Sequence, residues 1–131
     1  MSQHANAVLV RALFEALSKR DAAAVQAAIA DDAVWRFPGR RGQLAGEHRG
    51  RAAIVAFLTQ VMVLTDGTFA LELEDVTASD DNAVVLFTGR GQRNGKRLHN
   101  PTALRVQIRD GAAVEFTEFV WDLDHVEDFW A

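Results

Sequence analysis

The chain has 131 residues, of which 49% are apolar and 24% charged, with no cysteine and a formal net charge of −4. That length fits one domain, residues 1–131, able to bury roughly 65–70% of its unfolded surface. The composition excludes disulfides, thiolate catalysis and cysteine-ligated zinc, argues against a nucleic-acid partner, and contains no apolar run near the ~18–20 residues that cross a membrane.

In chain order, the opening Met1-Ser2-Gln3-His4 lacks the basic-then-apolar order of a signal peptide, and the expected location is the cytoplasm. Val10, Leu13, Phe14 and Leu17 then fall at helical spacing and form one apolar stripe. Asp21 is placed to cap a second short helix running through Val25 and Ile29, with Asp31 and Asp32 at its exit. A short extended segment from Ala33 to Phe37 is closed by Pro38-Gly39, and Arg40 to Gly50 reads as a loop. Arg51 to Thr65 forms a third helix with Ile54, Phe57, Leu58, Val61 and Leu64 on its apolar face, stopped by Asp66-Gly67.

After Gly67 the apolar period changes from near four to two. Phe69, Leu71 and Leu73 alternate with Glu72 and Glu74, as in a strand with one buried and one wet face. Asp80-Asp81-Asn82 is a turn, Asn94-Gly95 sits between two alternating runs, and Asp110-Gly111 leads into a final strand from Ala113 to Leu123. The tail Asp124-His125-Val126-Glu127 has an Asp-x-x-Glu order that caps a last helical turn bearing Phe129 and Trp130. Helices first and antiparallel strands afterwards predict an α+β domain, its N-terminal helices packed on a curved, mainly antiparallel sheet.

Asn-Gly favours a two-residue type I′ turn, because both central residues need positive φ. Pairing outward from Arg93 opposite Lys96 sorts the hairpin into two faces. One carries Ala83, Val85, Phe87, Gly89 and Gly91 against Leu98, Asn100, Thr102, Leu104 and Val106. This is an apolar wall with a lone amide and gaps at the glycines, the pattern of a pocket lining. Asn100 lies opposite Gly89, where its amide could donate to a substrate carbonyl or oxyanion. A bulge at Pro101 would exchange Asn100 with His99. The opposite face, with Val84, Leu86 and Ala103 beside Phe119 and Trp121, is too apolar to face water and predicts a homodimer.

Glu118 shares its face of the last strand with Val114, Phe116 and Val120. A carboxylate on such a wall has its pKa raised by desolvation, which suits an acid or base near neutral pH. Two cations could cancel that effect: Arg105 at the rim, or Arg36 across the pocket. Trp35 and Phe37 either belong to the core or shape the cavity. Arg36, Arg40, Arg41, Arg49 and Arg51 cluster in the glycine-rich stretch, as a solvated loop or as a phosphate or acidic-ligand site. Thr88-Gly89-Arg90-Gly91 lies mid-hairpin and not between a strand and a helix, no His-Glu-x-x-His spacing occurs, and no serine has a histidine partner. No cofactor and no metal are expected.

Several stretches together resemble the SnoaL-like branch of the nuclear-transport-factor-2-like superfamily, the cone-shaped α+β domains that include ketosteroid isomerases and polyketide cyclases. They are Asp31-Asp32-Ala33-Val34-Trp35-Arg36-Phe37-Pro38-Gly39, Leu44-Ala45-Gly46-Glu47-His48-Arg49-Gly50-Arg51, Arg109-Asp110-Gly111, Glu115-Phe116-Thr117-Glu118 with Trp121-Asp122, and the ending Asp128-Phe129-Trp130-Ala131. The resemblance implies a barrel-like cone with a pocket between sheet and helices, and commonly a dimer through the other sheet face. It implies a strand acid at Glu118 or, because Val120 looks like an extra residue, at Asp122. It also implies a side chain near the pocket mouth at His48. The chain has no tyrosine, so the tyrosine donor of classical ketosteroid isomerases is missing, and the cyclase-like pattern is what remains.

The expected function is therefore binding of a small, apolar, enolisable molecule with acid–base chemistry. Glu118 would move the proton, Asn100 or His48 would hold the oxygen, and Trp35, Phe37, Phe87 and Phe116 would shape the cavity, with Asp122 beside it. The alternative is a ligand-binding or dimerisation module of the same fold without turnover.

Overall fold

The first apolar stripe does form one helix face. In the computed structural model, which describes residues 4–131, α1 spans Ala5–Lys19 and buries Val10, Leu13 and Phe14. The Met1-Ser2-Gln3 start lies outside the described residues. Arg20 ends α1 in the left-handed region at φ 57°, its N–H reaching the carbonyls of Ala16 and Leu17. Asp21 caps α2 (Ala22–Ala28) by accepting from the Ala24 N–H.

Ile29 is not the last helical residue but the first of β1 (Ile29–Phe37), and Asp31 and Asp32 lie exposed inside that strand. Val25 and Ile29, four apart, imitate a helical pair, yet Ile29 buries against the sheet and tertiary packing decides its conformation. The expected loop from Arg40 to Gly50 contains a short edge strand, β2 (Gly46–Arg49), paired with β1. Glu47, His48 and Arg49 offer no apolar alternation, so the periodicity was silent there.

Gly50 precedes α3 (Arg51–Leu64), and the stop at Asp66 and Gly67 takes φ 52° and 76°. Four strands follow: β3 (Ala70–Ala78), β4 (Asn82–Arg93), β5 (Lys96–Arg109) and β6 (Ala112–Val120). The chain leaves β6 at Val120, earlier than expected, because Asp122 caps α4 (Leu123–Trp130) by accepting from the His125 N–H. The cap thus sits two residues before the Asp124 expected from the sequence.

The six strands form one sheet in the order β2-β1-β6-β5-β4-β3, with every neighbouring pair antiparallel except β1 and β6. Asn94 and Gly95 take φ 51° and 76°, the left-handed pair a type I′ turn requires. From Arg93 opposite Lys96 to Asn82 opposite Gln107 the β4–β5 register runs without a shift, and Pro101 pairs with Thr88 without a bulge. Asn100 therefore stays opposite Gly89 on the inner face, and His99 stays on the other.

A bulge occurs instead between β5 and β6, where the register shifts between Gln107 and Ile108 and leaves Val114 without an opposite residue. Ala113, Phe116 and Glu118 point inward, while Val114 is only half-buried, so Val114 does not share the face of Glu118 as expected. The fold is α+β, with α1 and α3 packed on the concave face of the sheet around Val10, Ile54, Val85, Leu104, Val106 and Phe116. On the outer face Leu86, Ala103 and Phe119 stand in register across three strands, Leu86 and Phe119 remaining 41% and 58% exposed. Among the described residues, no helix is long and apolar enough to cross a membrane.

Candidate functional site

Between the concave sheet and the helices lies a cavity of about 560 Å³, within the range of small-molecule sites. Its floor comes from strands: Trp35 and Phe37 on β1, Phe87 and Gly89 on β4, Leu98 and Asn100 on β5, and Glu118 on β6. Leu17 of α1, Phe57 and Val61 of α3, and Trp130 of α4 supply the other walls. Strand alternation dictates this set, since Trp35 and Phe37 face inward and Arg36 between them must face out.

Glu118 is buried on that floor, opposite Leu104. Its Oε2 accepts one hydrogen bond, from the Trp35 indole Nε1 at 2.8 Å. Burial pushes its pKa from 4.5 up to about 7, and the indole N–H, which favours the carboxylate, opposes this only in part. Neither cation that could have cancelled the effect arrives. Arg105 turns outward to Asn82 Oδ1 at 3.3 Å, and Arg36 pairs with Glu47 at 2.8 Å and with Glu115. Both sit one residue out of phase with the inner face, which is why they cannot reach the carboxylate.

Trp35 is held as a plate, stacked on Phe116 at 4.4 Å between centroids and tilted against Phe57 at 5.5 Å. Phe116 therefore backs Trp35 and does not line the cavity, contrary to the expectation that it would shape it directly. Asn100 does line it, and its Oδ1 is buried without a hydrogen-bond partner among the described residues. Such a group costs about 1–3 kcal/mol until water or a ligand satisfies it. The room opposite it is not vacant, because the Phe69 ring fills the place of a Gly89 side chain, 3.4 Å from where a Cβ would stand.

Two further expectations are corrected by position. His48 lies on β2 opposite Trp35, stacks on Phe57 at 4.3 Å and hydrogen-bonds the Leu44 carbonyl at 2.7 Å, but forms no part of the cavity wall. Asp122 is exposed and caps α4, so of the two acids only Glu118 reaches the cavity. The arginine-rich stretch mostly pairs internally: Arg36 and Arg49 with Glu47, Arg51 with Asp31, and Arg41 with Glu127 at 3.9 Å. Its charge is largely spent on neighbouring acids, which removes the case for an acidic-ligand site there.

The walls from Phe57, Val61 and Trp130 were not among the expected site residues. The apolar face of the third helix was legible, but one sequence does not distinguish packing against the sheet from facing a void beside it. Among the described residues, no group of three histidine, aspartate or glutamate side chains is arranged to hold a metal ion.

The model of the SnoaL-like domain family matches residues 10–116. The chain belongs to the SnoaL-like family. An uncharacterized protein of Mycobacterium tuberculosis is 34% identical over the full length of both chains. Among solved structures, Bal32a from a soil-derived mobile gene cassette is 31% identical and superposes with a TM-score of 0.92 over 96% of each chain. An NTF2-like protein of unknown function from Burkholderia pseudomallei is 27% identical, with a TM-score of 0.83 over 100% of this chain and 99% of that one. The chain is thus a SnoaL-like member of the NTF2-like superfamily.

Proposed function

We propose that this SnoaL-like domain binds a small, largely apolar molecule in its cavity and moves a proton on it, Glu118 acting as acid and base. One observation carries the reading: a carboxyl group buried on an apolar cavity floor with no cation paired to it among the described residues, a setting that pushes its pKa up to about 7. At that pKa both protonation states are populated near pH 7, which is the condition for taking a proton from one carbon and returning it to another. An enolisable ketone suits the site, because Asn100 would stabilise the oxygen on which negative charge develops. Trp35, Phe37 and Phe87 would hold the apolar body.

Exchange of α-protons in heavy water, followed by NMR across a panel of apolar cyclic ketones and diketones, tests this. The wild type is expected to accelerate exchange for some of them, with a rate that rises through pH 7. Glu118→Gln is expected to abolish the acceleration while binding the same ketones. Binding without exchange in the wild type would instead favour a ligand-binding module without turnover.

The exposed row of Leu86, Ala103 and Phe119 supports a homodimer through the outer sheet face. Sedimentation of the wild type beside Phe119→Lys checks it, with a dimer expected for the first and a monomer for the second.

A further inference from the structure

We propose that Arg20 is the anchor for an anionic head group, and that the ligand is an amphipathic acid bound body first, its carboxylate left at the cavity rim. This rests on the reading of the cavity as a small-molecule site.

Apart from Glu118, Arg20 is the only charged side chain lining the cavity among the described residues. The two occupy opposite environments, Glu118 buried and Arg20 exposed. Arg20 is fixed from both sides. Its backbone closes α1 in the left-handed conformation, and its Nη2 donates to the Gly67 carbonyl at 2.9 Å, bridging to the turn after α3. A guanidinium carries five N–H donors, so this bond leaves most of the fork free. Arg11, Arg36, Arg41, Arg49, Arg51 and Arg90 are matched to acids. Arg20 is not, and what sets it apart from the other arginines without an acid partner is its place on the cavity wall. Among the described residues, no carboxylate lies within 4.0 Å of Arg20. A pre-positioned, unpaired fork at a pocket rim matches the geometry of carboxylate recognition.

Electrostatics then sets the direction of binding. An apolar floor with no cation near it penalises burial of an anion by desolvation, and Glu118 when ionised adds repulsion in a poorly screened site. The floor can take an apolar or neutral polar group but not an anion. The rim, held by Arg20 and open to solvent, can take the anion at little desolvation cost. The Ser18 hydroxyl, also on the rim, forms no hydrogen bond among the described residues and offers a neutral donor beside it.

The test uses two fluorescent probes that share an apolar aromatic body and differ in charge: anilinonaphthalene sulfonate and neutral phenylnaphthylamine. Both are expected to bind the wild type and to displace one another, with only the sulfonate weakened by salt. Arg20→Gln is expected to weaken the sulfonate roughly 3–10-fold, the range of a partly exposed charge-assisted contact. It should leave the neutral probe within about twofold, and Arg20→Lys should retain most of the sulfonate affinity. Equal effects on both probes, no effect on either, or failure of the probes to compete would overturn the anchor while the cavity reading stands. If neither probe binds the wild type, the cavity reading falls and the anchor with it. Loss of α-proton exchange in Glu118→Gln bears on neither outcome.

Discussion

The raised pKa of Glu118 makes a stability prediction that needs no substrate. Its carboxyl group titrates near 4.5 when unfolded and at about 7 when folded, so between those values the folded state binds more protons. Stability must therefore fall as pH rises through this window and level off above the folded pKa. Each pKa unit corresponds to about 1.4 kcal/mol, which puts the total near 3 kcal/mol, or roughly 10 °C in melting temperature for a domain of this size. Glu15, Glu47 and Glu127 have lowered pKa values, so their contributions are lost only below the ordinary carboxylate range and do not overlap the window. Glu118→Gln keeps the shape and can still accept from the Trp35 indole, but removes the ionisation. Urea unfolding of both proteins from pH 4.5 to 8 isolates the term. The variant is expected to gain on the wild type by about 3 kcal/mol across this range. A constant difference between the two curves would mean that Glu118 ionises as it does in water, and the desolvation argument would be refuted.

Trp35→Phe removes the indole donor to Glu118 Oε2 and is expected to raise the carboxyl pKa further, read from its carbon chemical shift in an NMR titration. Asn100→Leu replaces a buried amide whose Oδ1 is unpartnered, so the ligand-free protein should unfold at the same temperature or higher, while ketone binding weakens. Gly42 adopts φ 87°, and a Cβ there would lie 2.9 Å from the Trp130 carbonyl oxygen. Gly42→Ala should therefore cost about 1–3 kcal/mol in denaturant unfolding and disturb the near-ultraviolet signal of the tryptophans.

The hairpin was legible to the residue because its determinants are local. Asn94-Gly95 fixes the turn, the turn fixes the register, and strict alternation assigns every side chain from Asn82 to Gln107 to a face. Placing Asn100 and Phe87 in the cavity followed from that alone. The inward turn of Glu118 was legible for a similar reason, although its neighbours were misassigned, because a bulge at Val114 leaves no mark in a run of apolar and charged residues. What the sequence did not contain was the difference between a wall and a plug. Phe116 and Phe37 are the same residue type on inward positions of adjacent strands, yet Phe37 borders the void and Phe116 is stacked behind Trp35. Gly89 looked like empty space, and Phe69 from β3 occupies it. His48 and Asp122 are lost to the cavity differently: each is committed to a partner close in sequence, the Leu44 carbonyl and the His125 N–H, and for Asp122 the N-cap signal was local and read two residues too late. A cavity is what several elements together leave unfilled. Local pattern can therefore nominate the residues that face it, while packing alone decides which of them touch it.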